Sequence, residues 1–296
     1  MCMERMDERK RNRLSDPSYI REVLARHGFQ FSKAMGQNFL VNPGICPRMA
    51  AECGADFCAG VLEIGPGLGV LTWELSQVAK IVVAIELDRR LFPVLEETLS
   101  DCSNVEIIEG DVLKLDLAEL IEEKFGGQTI CVCANLPYYI TSPVIMGLLE
   151  SGLPLRSITV MVQKEAAKRI CARPGSRECG AVSASVWYHS EPEILFPVSR
   201  GSFLPPPNVD SAVIRLNLRS EPPVQVGNKE QFFKLVRAAF SQRRKTAANS
   251  IAAGSQFSKE QIERALLAIG AEKNVRAEQL NLEQLAALAN SLLYSV

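Results

Sequence analysis

Histidine is nearly absent from this chain: His27 and His189 are the only two in 296 residues. The first falls at a helix end and the second beside a strand start, so both read as structural, and chemistry driven by a histidine base is disfavoured. The nine cysteines are odd in number, contain no CxxC pair and have no histidine set to complete a site. A disulfide framework and a zinc centre are therefore not indicated, and no metal is expected. Cys131 and Cys133, two apart on a strand, would share one face as buried thiols. No apolar run reaches the roughly 18 to 20 residues needed to span a bilayer, and the first residues lack the apolar core of a signal peptide. A cytoplasmic protein without a membrane partner is expected.

What is present is an ordinary globular composition, 47% hydrophobic and 23% charged, with length enough for one large and one small domain. The net charge of −1 hides an asymmetry: residues 51–150 carry 5 basic and 17 acidic side chains, while the flanking segments together carry an excess of 11 positive charges. A nucleic-acid partner would meet basic surface from the flanks, although basic excess of this size is also common on solvated faces.

Asp16-Pro17 opens a helix that Gly28 closes, preceded by a basic arm over Glu8 to Arg13 that is expected to be mobile. Phe29 to Asn42, with Lys33, Gly36, Gln37 and Asn38, has no clean period and reads as a polar loop before a helix near 44–53. From Val61 onward strand-like runs (Val61–Ile64, Ile81–Ile85, Val105–Ile108, Thr129–Ala134, Ile158–Val162) alternate with helical patterns near 69–78, 89–99, 116–124, 141–151 and 164–172. That alternation predicts an α/β sandwich, a mostly parallel sheet with helices on both faces. Strands near Ile194–Val198 and Val209–Leu218 follow. After the break at Glu221-Pro222-Pro223, residues 229–296 read as helices only, separated at Gly254 and Gly270. The expected division is 1–219, carrying the sheet and the basic arm, and 220–296, an all-α domain.

The ends of the strands carry the chemistry. Ligands in open α/β sheets sit at the carboxyl ends of strands. The first strand runs into Gly65-Pro66-Gly67-Leu68-Gly69, where glycine lets the backbone turn and approach a ligand. Glu86 ends the second, where a carboxylate can accept both hydroxyls of a ribose. Asp111 follows the third and can accept from an adenine amino group. The fourth ends in Asn135-Leu136-Pro137-Tyr138: an amide, a rigid bend and an aromatic ring. An adenine exocyclic amine is a poor nucleophile because its lone pair is delocalised. An Asn carbonyl and a backbone carbonyl before or within the X-Pro step could each accept one of its N–H groups, while the ring stacks on the base. Such positioning lowers a barrier without a general base. Taken singly, each feature also fits an ordinary strand end, a capping acid or a proline turn.

Together with Gly36-Gln37-Asn38-Phe39-Leu40 upstream and Phe203-Leu204-Pro205-Pro206-Pro207-Asn208-Val209-Asp210-Ser211 downstream, these motifs resemble the ribosomal RNA adenine dimethyltransferases over about 17–296. The resemblance implies a Rossmann-like class I methyltransferase fold and S-adenosylmethionine as methyl donor, with S-adenosylhomocysteine as product. It implies that Asn38 and Leu40 close over the donor, Gly65 and Gly67 meet its methionine end, Glu86 holds its ribose and Asp111 its adenine. Asn135 and Pro137 would hold the target amine, Asn135 also bordering the donor, and Tyr138 and Phe203 would stack on a flipped adenine. Tyr139 stands where some members have Asn. The implied substrate is a pair of adjacent adenines in a hairpin near the 3′ end of small-subunit ribosomal RNA, each dimethylated at N6 in an assembling 30S particle; a monomer is the default expectation. Gln242-Arg243-Arg244-Lys245-Thr246 resembles the small-subunit branch, and Arg243, Arg244 and Lys245 are candidate RNA contacts. Three alternatives compete. An NAD-dependent oxidoreductase explains the glycine loop but not Asn135–Tyr138 or Phe203. An erythromycin-resistance-type enzyme acting on large-subunit RNA, and a non-catalytic ribosome-assembly factor, are the others.

Overall fold

A computed structural model describes residues 10–29 and 37–294. The chain divides into two compact units: residues up to Ala167 with Glu193–Leu218, and Lys168–Pro192 with residues from Arg219 onward. The chain crosses between the units three times, and the third crossing, at Leu218/Arg219, lies near the expected boundary at 220. Residues 168–192, expected with the sheet, group instead with the helices.

In the first unit, helix α1 (Pro17–Arg26) starts at Asp16, whose side chain accepts the Ser18 and Tyr19 N–H groups. Strand β1 (Phe39–Leu40) and helix α2 (Ile45–Glu52) follow. Strands β2 (Val61–Ile64), β3 (Val82–Glu86), β4 (Val105–Glu109), β5 (Ile130–Asn135) and β6 (Leu155–Gln163) alternate with helices α3 (Val70–Val78), α4 (Phe92–Thr98), α5 (Leu117–Phe125) and α6 (Thr141–Glu150). Helix α7 (Lys164–Ile170) crosses into the second unit, which holds α8 (Ala181–His189), and the chain then returns through β7 (Ser190–Val198) to β8 (Phe203–Leu204) and β9 (Ser211–Leu218). The seven-stranded sheet has the order β4-β3-β2-β5-β6-β9-β7. Its first five strands are parallel, and β9 runs antiparallel to β6.

The central strands are apolar runs because both their faces are covered: every residue of β2 and β3 and the first five of β5 are buried. The order reverses at β2, which lies between β3 and β5. That reversal opens the crevice where an α/β sheet takes its ligand.

Part of the expected N-terminal arm is ordered. Residues 10–14 are helical, Lys10 pairs with Asp101, and Arg11 pairs with Glu74. Glu74 is 4% exposed, and a carboxylate that deep requires a cation, which explains why this segment is held. Glu8 and Arg9 lie outside the described residues, as do Lys33 and Gly36.

The second unit holds α8, α9 (Lys229–Phe240), α10 (Ala247–Gly254), α11 (Lys259–Ala268) and α12 (Leu282–Tyr294). Asn228, Thr246 and Ser258 cap α9, α10 and α11 through their side chains. Ala184 and Tyr188 of α8 are buried in the same core as Phe232, Phe233, Ile262 and Leu285, which is why 168–192 joins this unit. His189 stacks on Phe233 with ring centroids 5.4 Å apart, and burial depresses its pKa to about 4. It is a core ring, as the sequence suggests.

Candidate functional site

Beyond the ends of β2, β3, β4 and β5 lies a cavity enclosing about 1130 Å³ of empty space, counting its open mouth. Asn38, Leu40, Gly65, Gly67, Glu86, Asp111, Asn135, Pro137, Tyr138 and Phe203 all line it. The ten positions singled out in this part of the sequence therefore meet in one place, although they span 166 positions of chain. Arg243, Arg244 and Lys245 do not: they are exposed in the second unit, in the turn between α9 and α10. There the Arg243 guanidinium donates to the Arg177 carbonyl at 3.5 Å.

Two glycines shape the floor. Gly65 (φ +71°) and Gly67 (φ +60°) adopt the left-handed backbone that a side chain disfavours. A Cβ on Gly65 would meet no protein atom within 4 Å, so it would point into free space, whereas one on Gly67 would press on the Phe39 ring at 3.3 Å. The first keeps room for a ligand and the second makes room for β1.

Glu86, the last residue of β3, is 6% exposed. Its carboxylate accepts the Gly67 N–H at 3.3 Å and the Asp88 N–H at 2.8 Å, so it also fixes the glycine turn. Burial raises its pKa, and those N–H donors partly oppose the rise. Gln37 donates to Asp88 at 2.8 Å, tying the residue before Asn38 to the end of β3. Asp111 accepts the Leu113 N–H at 3.1 Å and pairs with Lys114 at 3.1 Å. The Leu113 N–H first, then Lys114, hold its carboxyl below the usual range.

A third acid, Glu63 in β2, also lines the cavity but was not among the expected site residues. It is 1% exposed, its Oε2 has no hydrogen-bond partner among the described residues, and burial pushes its pKa up to about 8. The available signal was an acid inside an otherwise apolar, fully buried strand, Val61-Leu62-Glu63-Ile64.

At the end of β5, the Asn135 side chain has no intramolecular hydrogen-bond partner among the described residues, and neither does the Leu136 carbonyl. The Pro137 carbonyl, in contrast, accepts the Ile140 N–H at 3.1 Å and the Thr141 hydroxyl at 3.4 Å. The proline sets the bend, and the acceptors left unpaired at this turn, among the described residues, are the Asn135 amide and the Leu136 carbonyl. Tyr138 is half-buried, and its hydroxyl bonds the Ser211 hydroxyl at 2.7 Å, which locks its ring.

Phe203 reaches the cavity through tertiary pairing. Strand β8 runs antiparallel to β1, with Leu40 opposite Phe203 and Phe39 opposite Leu204. The Val41 N–H donates to the Ser202 carbonyl at 2.8 Å. This two-residue ladder places the Asn38–Leu40 segment and Phe203 side by side.

The family described as Ribosomal RNA adenine dimethylase matches residues 28–293. Proteins named Ribosomal RNA small subunit methyltransferase A from Geobacillus thermodenitrificans (strain NG80-2) and Lachnoclostridium phytofermentans (strain ATCC 700394 / DSM 18823 / ISDg) are 47% and 48% identical to this chain. The matches cover 95% and 94% of this chain and 97% of each relative. Among solved structures, the 23S rRNA methyltransferase ErmE is similar with a TM-score of 0.68 and 28% identity, covering 86% of this chain and 99% of that one. A dimethyladenosine transferase from Plasmodium falciparum gives a TM-score of 0.69 and 27% identity, covering 84% and 95%.

Proposed function

This chain belongs to the ribosomal RNA adenine dimethylase family, and from that premise we propose that it dimethylates N6 of two adjacent adenines in small-subunit ribosomal RNA. The target is a hairpin near the 3′ end, within an assembling 30S particle, and S-adenosylmethionine is the methyl donor. The observation that carries the proposal is the pair of unsatisfied acceptors, the Asn135 amide and the Leu136 carbonyl, at the wall of a cavity otherwise rich in acids.

The cavity fits the donor on its own chemistry. Glu86 and Asp111 give it carboxylates suited to a cationic ligand, and Glu86 presents its carboxylate where a ribose diol would bind. The side-chain space missing at Gly65 is open. Asn38, Leu40, Gly65, Gly67, Glu86 and Asp111 would hold the donor, which supplies an electrophilic methyl group on a positively charged sulfur.

The remaining work belongs to the chain. Asn135 and Leu136 accept the two N–H groups of the adenine amine, fix its direction and favour a more pyramidal nitrogen. Neither acceptor is a strong base, so the clamp acts by orientation and polarisation. Tyr138, locked by Ser211, and Phe203 offer faces for the base. Removing a base from its stack costs a few kcal/mol, and stacking on an aromatic returns roughly 1–3 kcal/mol. Arg243, Arg244 and Lys245 supply phosphate contacts.

The near-full-length identity to small-subunit enzymes favours 30S RNA over the large-subunit substrate in the name of ErmE. Purified protein incubated with labelled donor and unmodified 30S particles should incorporate methyl groups. Incorporation only into large-subunit RNA, or into no RNA, refutes the proposal.

A further inference from the structure

Among the described residues two aromatic rings stand strongly in solvent: Phe57, 71% exposed, and Tyr139, 59% exposed. The Arg156 guanidinium covers Phe57 at 4.8 Å. Tyr139 has no ring, cation or hydrogen-bond partner among the described residues. It lines the same cavity as Asn135 and Tyr138. The turn that carries it is defined, because the Ile140 N–H closes onto the Pro137 carbonyl at 3.1 Å. Two consecutive tyrosines thus sit on one fixed turn, Tyr138 anchored through Ser211 and Tyr139 free.

An exposed aromatic face is a cost in water that a single-stranded nucleic acid removes, since every base has a face to stack. Extracting one base from a strand also strips its neighbour of a stacking partner. A second ring beside the first, one residue along the same turn, suits that neighbour. We propose that Tyr139 is the stacking platform for the base next to the target, so that it holds one adenine of the pair while the other occupies the clamp. The inference rests on the substrate proposed above. It makes Tyr139 a determinant of RNA affinity that leaves the donor and the methyl-transfer step unaltered, and it needs the ring and not the hydroxyl.

The test uses the full-length protein and two 30S substrates: intact unmodified particles, and particles assembled with an abasic residue in place of one adenine of the pair. On intact particles, Tyr139→Ala should raise KM about tenfold, with kcat, donor affinity and thermal midpoint unchanged, and Tyr139→Phe should match the parent. On abasic particles the parent and Tyr139→Ala should converge. An unchanged KM in Tyr139→Ala, an equal penalty on abasic particles, or a loss in Tyr139→Phe as large as in Tyr139→Ala overturns the inference. Failure of the parent to methylate intact particles would instead overturn the underlying substrate reading.

Discussion

Asn135→Ala is the substitution that most cleanly separates the two halves of the site. The backbone of Asn135 pairs with Met161 in β6, so alanine keeps the strand end in place. The side chain makes no intramolecular hydrogen bond among the described residues, so its loss should cost the fold no more than about 0.5 kcal/mol. Its effect on reaction is different in kind. One of the two acceptors for the amine disappears while the Leu136 carbonyl remains. Removing one preorganised partner of a reacting group costs about 3–4 kcal/mol, or roughly 100- to 1000-fold in turnover. Glu86, Asp111 and the glycine turn are untouched, so affinity for S-adenosylhomocysteine should change by less than about threefold. Methyl transfer to 30S particles gives turnover, calorimetry gives product affinity, and a melting curve gives stability. A collapse of affinity with turnover preserved would refute the assignment of Asn135 to the amine.

Glu63 titrates at about 8 against an ordinary 4.5, so the folded protein keeps a proton that the unfolded chain releases. The stability this confers is full below pH 4.5 and is lost as pH rises to about 8. Glu63→Gln should therefore flatten the fall in thermal midpoint of the donor-free protein between pH 5 and 8, read from buried Trp73, and an undiminished fall contradicts the argument. His189 has the opposite sign: with a pKa near 4 against 6.5, its contribution is present above pH 6.5 and lost as pH falls through 4. His189→Phe, which can keep the stack on Phe233, should make the Trp187-reported transition less sensitive between pH 6.5 and 4. A midpoint that tracks the parent's across that window assigns the acid sensitivity to other groups. Replacing Arg243, Arg244 and Lys245 together with Ala should weaken RNA binding and flatten its salt dependence by up to about three phosphate equivalents. An unchanged slope would put the phosphate contacts elsewhere.

The sheet was legible because its central strands are buried on both faces and so read as unbroken apolar runs, and because its functional residues sit at strand ends, where the motif is local. Helix α8 was not legible: Ser183, Ala184, Ser185, Val186 and Tyr188 are all buried, so no polar stripe marks a helical period. The β1–β8 ladder joins two-residue segments more than 160 positions apart, a pairing set by tertiary contacts and invisible to any short window. The sequence leaves the second acceptor open between the carbonyls before and within the Leu136-Pro137 step, and the family resemblance names Pro137. The Ile140 and Thr141 bonds to its carbonyl point to Leu136 as the second acceptor, a distinction that needs the turn geometry. Glu63 escaped because one acid in a strand reads as an exposed edge until the helices covering it are seen.

We propose that the Asn135–Tyr138 clamp serves adenines of small-subunit ribosomal RNA. Mass mapping of modified nucleosides in ribosomal RNA from cells lacking this gene, each complemented with the parent or with Asn135→Ala, tests it most directly. Dimethyladenosine should be missing from two adjacent positions near the 3′ end of small-subunit RNA, return with the parent and stay absent with Asn135→Ala. An unaltered small-subunit map, or a loss confined to large-subunit RNA, would contradict it.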